Sequence, residues 1–343
     1  MFSFDTQLEQ ILKDNKIAGM SVAVTNRNKT LYAKGFGVDS VERPDIPANA
    51  DSLYRIASIS KVVTGITIMR LVDEKVLDLD VPVKKYVSWL EFNDPRIVQQ
   101  MTLRHLLSHT SGLPGEYTPD GPREESALEQ TLKSGLKELK FNTLPNDGSY
   151  LYSNWGIRLA SYIAQAKAGK VFSELAKEYV LEPLCMNKTT FDLRVAATYP
   201  LSLPHLENSK GELEVVHYIK ENATRLAAGG LYSSATELCK LARFLLNYGR
   251  NDFGEQLLSV DNVKQMFKKH TAIAENSEDG YGLTMLIRKY KDRFIYGHLG
   301  SAPPYSLSMF VEHKSGYGII TLMNTQHDDL RYEIPKMIFD SLI

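Results

Sequence analysis

Val62, Val63, Ile66, Ile68, Met69, Leu71 and Val72 follow one another so closely that a helix through them is apolar on most of its faces. Such a helix has no surface to lie on and must be sunk in a core built by other elements. The stretch 54–70, YRIASISKVVTGITIMR, is therefore the centre around which the chain is organised, and it delivers Ser58 onto the first turn of that helix with Lys61 three residues later. Residues i and i+3 share a helix face, so a hydroxyl nucleophile and an amine lie side by side. At the edge of a dry core the charged form of a lysine is disfavoured, which moves it toward accepting a proton. A serine at a helix start also faces backbone N–H groups that can hold a developing oxyanion. Alone, S-x-x-K is a weak signal: chance supplies about one in a chain of this length, and a second occurs at Ser134 and Lys137.

With 343 residues, 43% hydrophobic and 24% charged, the chain is long enough for two domains or for one large domain with an insertion. Forty basic against 41 acidic residues leave a net charge of −1, so neither nucleic acid nor an anionic membrane is an expected partner. Two cysteines, Cys185 and Cys239, make neither a disulfide framework nor a C-x-x-C metal site; buried reduced thiols are expected. The N-terminus lacks a basic region followed by an apolar one, and no run approaches 18 apolar residues. A cytoplasmic protein is expected unless a leader has been removed. No surface stripe stands out as an interface, which leaves the oligomeric state open.

In chain order, Phe4, Leu8, Ile11 and Leu12 have helical spacing, and 19–26 and 29–37 alternate as an antiparallel hairpin. A short strand over 52–56 runs into the Ser58 helix. Residues 76–224 carry helical patterns over 97–109, 127–140, 154–168 and 172–184, interrupted by Pro- and Gly-containing loops at 111–122, 143–150 and 199–212. Helices follow over 236–248 and 260–269, then strands over 281–289, 293–298, 305–312 and 317–324, and a closing amphipathic helix through Leu330, Ile334 and Ile338. The expected architecture is α+β: an antiparallel sheet flanked by N- and C-terminal helices, formed by 1–75 and 225–343, with a mostly helical insertion over 76–224 and a cleft between them.

Two further stretches carry chemistry. Tyr152-Ser153-Asn154, the only Y-x-N in the chain, lies where a loop enters a helix, so a phenol and an amide project into the cleft. A tyrosine near a lysine ammonium can hold or shuttle a proton. His298-Leu299-Gly300 ends a strand; Gly300 admits close backbone approach, and the N–H of Ser301 is placed to join that of Ser58 in a two-donor oxyanion hole. His105 and His109 stand four apart without a third ligand, so no metal is expected. Lys314-Ser315-Gly316 reads as a strand-to-strand turn.

The ordered set S-x-x-K, Y-x-N and [KH]-x-G resembles the superfamily of serine β-lactamases and penicillin-binding proteins, in its class C branch with the related esterases, D-aminopeptidases and DD-peptidases. The stretches LRHLLSHTSGL (103–113), EPLCMNKTTF (182–191) and GGLYSSA (229–235) are similar to that branch as well. The resemblance covers nearly the whole chain and implies a β-lactamase/transpeptidase-like fold, with no cofactor. By it Ser58 is the acylated nucleophile, Lys61 and Tyr152 the proton-transfer pair, Asn154 a substrate-amide contact, His298, Gly300 and Ser301 part of the substrate and oxyanion wall, and the ligand a small ester or amide.

The departures from the pattern narrow the activity. Where class C β-lactamases carry Lys-Thr-Gly this chain has His298-Leu299-Gly300, losing a permanent cation and a hydroxyl that grip a substrate carboxylate. Histidine there resembles the esterase and peptidase members. Ala302-Pro303-Pro304 replaces the usual glycines, and no class A E-x-x-L-N segment occurs, so deacylation falls to Tyr152 or Lys61. The leading expectation is a serine hydrolase of small esters or amides with weak or no β-lactamase activity. The alternatives are a D-aminopeptidase, DD-peptidase or β-lactamase, and a penicillin-binding protein that acylates without turnover.

Overall fold

An apolar helix must first be surrounded, and the two ends of the chain supply the walls. The computed structural model describes residues 4–92, 94–115, 122–137, 139, 141, 143–217 and 222–343. Helix α1 (Asp5–Asp14) leads into strands β1 (Gly19–Asn26) and β2 (Thr30–Gly37), whose turn is closed by the Asn26 side chain accepting from the N–H groups of Asn28 and Lys29. The short β3 (Tyr54–Arg55) precedes a 3-10 turn over Ala57–Ile59 and then α2 (Ser60–Asp73). Helices α3 (Pro95–Gln100), α4 (Leu103–Ser108), α5 (Leu128–Lys137), α6 (Asn154–Ala168), α7 (Phe172–Ala176) and α8 (Leu193–Ala196) follow, then a small hairpin of β4 (His205–Glu207) and β5 (Leu213–Val215). Next come α9 (Leu226–Gly229), β6 (Tyr232–Ser233), α10 (Ala235–Leu246) and α11 (Val260–Phe267). Strands β7 (Thr271–Ala272), β8 (Gly280–Tyr281), β9 (Leu286–Tyr290), β10 (Arg293–Ala302), β11 (Tyr305–Glu312) and β12 (Tyr317–Met323) lead to α12 (Leu330–Leu342).

Among the described residues eight strands form one sheet in the order β2-β1-β12-β11-β10-β9-β8-β7, with antiparallel neighbours throughout. The first hairpin thus docks on the last strand, and the chain ends are joined through the Met20–Met323 register. Strand β12 shows why both faces are covered: Ile319 and Met323 enter one core with Leu8, Ile334 and Ile338 of α1 and α12, while Ile320 and Leu322 enter another with Leu241 and Leu245 of α10. That second core also holds α2, buried over nearly its whole length, with α4 and α6 around it. The fold is α+β, of the β-lactamase/transpeptidase-like kind that the resemblance implies. Among the described residues no helix is long and apolar enough to cross a membrane.

Several elements are shorter than their sequence patterns. The pattern over 97–109 breaks into α3 and α4 because Thr102 is extended (φ −125°, ψ 168°) and caps α4, its hydroxyl accepting from His105 N–H while His105 Nδ1 accepts from Thr102 N–H at 3.2 Å. That over 172–184 continues α7 as a π turn (Lys177–Leu181). The pattern over 281–289 divides into β8 and β9 at Thr284, whose φ is +57° and whose N–H donates to Leu107 O. The strand expected over 52–56 keeps two residues, paired with β6. The loop at 199–212 contains β4.

Thr284 also makes a testable demand on α2. A Cβ at Gly65 would lie 1.9 Å from Thr284 Oγ1, on a fully buried residue pinned by its backbone. Gly65→Ala gains up to about 1 kcal/mol of helix propensity but overpacks the junction at a cost of about 1–3 kcal/mol. The expected net result is a lower urea midpoint with an unchanged m-value. An unchanged or higher midpoint would mean that Thr284 yields freely.

Candidate active site

Ser58 sits in the 3-10 turn just ahead of α2, closed by Ile59 N–H donating to Ile56 O at 3.1 Å. The first α-turn expected for it is thus a tighter one. Ala57, directly before it, has φ +48°, a conformation costly for any residue with a Cβ. Strand β10 runs against this turn: a Cβ at Gly300 would come within 2.6 Å of Ile56 O, so any side chain there would push the strand away from the serine.

The two proton-transfer candidates converge on Ser58 from different parts of the chain. Lys61, completely buried, donates from Nζ to Ser58 Oγ at 2.9 Å and to Ala228 O at 2.7 Å. The carbonyl belongs to α9, one residue ahead of the GGLYSSA stretch (229–235). Tyr152, 94 residues away in sequence, donates from its hydroxyl to Ser58 Oγ at 2.8 Å, and Lys61 Nζ lies 5.0 Å from the centre of its ring.

Tyr152 is held from below by His109. This histidine ends α4 in the left-handed conformation (φ +59°), its carbonyl accepts from Leu151 N–H, and its Nδ1 accepts from Ser153 N–H at 3.1 Å. Its ring packs 4.4 Å from that of Tyr152 and 4.6 Å from that of Tyr281. Ser153 in turn caps α6 by accepting from Gly156 N–H and donates to Pro114 O. The entry to α6 is thereby pinned on both sides of the phenol. Asn154 is the first residue of α6, half-buried, one helical residue beyond that cap.

His298 lies on β10 with 4% exposure, within the strand rather than at its end. Its Nδ1 is 2.6 Å from Leu299 O, a pure acceptor, and therefore carries the proton; Nε2 accepts from the Tyr281 hydroxyl at 2.8 Å. Both ring nitrogens are thus engaged within the protein. Burial, with the Lys61 ammonium adding to it, pushes His298 down to about 3, so the ring is neutral near pH 7. Burial likewise holds His109 well below its ordinary value. Ser301, next along β10 after Gly300, is exposed and pairs with Ser306 of β11.

These depressed histidines predict a pH dependence of stability. Below about pH 6.5 the unfolded chain takes up protons that buried, neutral His298 and His109 refuse, so the unfolded state is favoured as pH falls from 6.5 toward 3. Each such group contributes a slope of up to about 1.4 kcal/mol per pH unit in that window. The urea midpoint should fall between pH 7 and pH 5. A constant or rising midpoint would contradict neutral burial.

Tyr281 and the carbonyl of Ala228 are contacts that no sequence motif announces; their partners come from 17 and 167 residues away. The decoys resolve into local structure. Ser134 bonds the carbonyls of Gln130 and Thr131 within α5, and the N–H groups of Lys314 and Ser315 donate to the Glu312 carboxylate in the β11–β12 turn. His105 caps α4, and no cluster of three metal-ligating side chains occurs among the described residues.

The chain is 24% identical over 341 residues to Protein flp of Staphylococcus aureus (strain MW2), a match covering 97% of this chain and 64% of that protein. It thus spans less than two thirds of the length of this curated relative. Among solved structures it is similar to the D-amino acid amidase from Ochrobactrum anthropi SV3 complexed with D-phenylalanine (TM-score 0.76, 20% identity, 98% of each chain). It is also similar to EstCE1, a hydrolase with promiscuous acyltransferase activity (TM-score 0.80, 20% identity, 98% of this chain and 97% of that one). Residues 4–338 match the Beta-lactamase family, so the chain belongs to that family.

Proposed function

We propose that this protein cleaves small esters or amides through an acyl-enzyme on Ser58, in a cleft between the sheet part (1–75 and 225–343) and the helical part (76–224). One observation carries the reading: Lys61 Nζ and Tyr152 OH meet at Ser58 Oγ, at 2.9 and 2.8 Å. Ser58 Oγ attacks the acyl carbon while its proton passes to the Lys61–Tyr152 pair, which accepts it in the form where Lys61 is the free amine or Tyr152 the phenolate. The carbonyl oxygen gains negative charge toward the N–H groups of Ser58 and Ser301. The alcohol or amine leaves with a proton returned through Tyr152; water, giving its proton to the same pair, then attacks the ester on Ser58, the Oγ–acyl bond breaks, the pair returns the proton to Oγ, and the acid leaves. Asn154 is assigned the substrate amide or acyl chain.

The neutral His298 favours esters and uncharged amides over β-lactams. It offers no cation and no unengaged ring nitrogen to a substrate carboxylate, and through its bond to Tyr281 it acts as a positioning residue for β10. Tyr281→Phe should therefore leave Nε2 as a buried acceptor without its donor and lower stability by about 1–3 kcal/mol. His298 should stay in place only when both of its bonds are present.

Intact-protein mass spectrometry after mixing with a chromogenic short-chain ester tests the proposal. A transient acyl adduct on the peptide containing Ser58, with continued turnover, is expected; a cephalosporin should give little adduct and little hydrolysis. A long-lived cephalosporin adduct without ester turnover would overturn the reading in favour of a penicillin-recognising protein. Turnover of D-amino acid amides but not of esters would move it to the aminopeptidase side.

A further inference from the structure

Arg55 stands three residues before Ser58, within about 10 Å along the backbone even if fully extended. Its neighbour Tyr54 turns to one face of β3, where its hydroxyl meets that of Ser21; successive strand residues alternate, so Arg55 takes the other. There it lines a cavity of about 920 Å³, within the size range of small-molecule sites. Arg55 is only 5% exposed, its Nε is shielded from solvent, and no hydrogen bond or ion pair engages its guanidinium among the described residues. A buried cation left without an acceptor is costly. An anion arriving in the cavity would remove that cost.

The cavity carries as many carboxylates as cations, but several of the acids already have partners. Asp192 is held by Arg194, Glu182 by Lys177, and Glu125 accepts from Ser173. Arg55 differs in being both buried and unengaged. The cavity also backs onto the catalytic segment. Its wall includes Leu226 and Gly230, which flank the Ala228 carbonyl that receives Lys61.

We infer that this cavity is a binding site for a carboxylate, with Arg55 as its principal donor. A guanidinium presents two parallel N–H groups that match a carboxylate's two oxygens. The carboxylate has two conceivable sources: the far end of the acyl group being transferred, or a separate small acid acting as an effector. The first source rests on the hydrolase reading above; binding itself does not.

The test uses the full chain with glutarate as probe, in wild type, Ser58→Ala, Arg55→Lys and Arg55→Met, read by thermal unfolding and titration calorimetry at constant ionic strength. Saturable stabilisation is expected in wild type and in Ser58→Ala, weakened at least about tenfold in Kd in both Arg55 variants, as for loss of a charge-assisted bond. The source is read by comparing 4-nitrophenyl acetate with the 4-nitrophenyl half-ester of glutarate. A kcat/KM ratio of about ten in favour of the half-ester, collapsing in Arg55→Met, identifies the acyl group. Glutarate altering acetate turnover with a ratio near one identifies an effector. Absence of saturable glutarate binding in wild type overturns the site, as does undiminished affinity in a folded Arg55 variant. If Arg55→Met does not fold, Arg55→Lys and the wild-type titration still decide. Failure of the hydrolase reading looks different: neither ester is cleaved, while glutarate binding is unaffected.

Discussion

Ser58→Ala is expected to abolish ester hydrolysis, with a fall in kcat of at least about 10³-fold and no acyl adduct at any time point. The substitution removes the atom on which Lys61 and Tyr152 both converge, and it removes little else. Ser58 is half-buried, it caps nothing, and the turn around it is closed by backbone groups of Ile56 and Ile59. The variant should fold with an unchanged circular dichroism spectrum. Its loss is therefore attributable to chemistry, and wild-type rates in this variant would end the proposal.

Tyr152→Phe is expected to reduce kcat by about 10²–10⁴-fold, the range for a positioned proton-transfer group. The ring contacts with His109 and the pinning of Ser153 do not involve the phenol oxygen, so the aromatic shelf survives. The 2.8 Å bond to Ser58 Oγ is lost. Pre-steady-state kinetics tell which step suffers. Slower release of 4-nitrophenol in the burst locates the loss in acylation; an intact burst with slow turnover locates it in deacylation. A rate within twofold of wild type would assign the whole proton transfer to Lys61.

Much of this arrangement is legible in the sequence because the decisive signals are local. Ser58 and Lys61 stand three apart ahead of a helix whose apolar residues leave it nowhere but a core, and Tyr152 and Asn154 bracket a serine that caps the next long helix. The hairpin 19–26 and 29–37 alternates, and its partner β12 is apolar on both faces, so an antiparallel sheet follows from pattern. Thr284 was not readable in this way. Its positive φ divides an apolar run into two strands because its N–H is claimed by Leu107, a residue of a helix far away in sequence.

Tertiary structure alone decided the state of the site. Composition and spacing make His298 a candidate contact for substrate, but only the arrival of the Tyr281 hydroxyl at Nε2 and burial within the closed fold make it a neutral, engaged ring. The same holds for Ala228, whose carbonyl orients Lys61, for the approach of Gly300 to Ile56, and for Arg55, whose burial beside a cavity no local pattern announces. Periodicity and capping act between residues a few positions apart and are written in the chain. Desolvation, charge and hydrogen-bond partners depend on what long-range packing brings to a side chain, and for these residues that was settled only when sheet and helices closed around them.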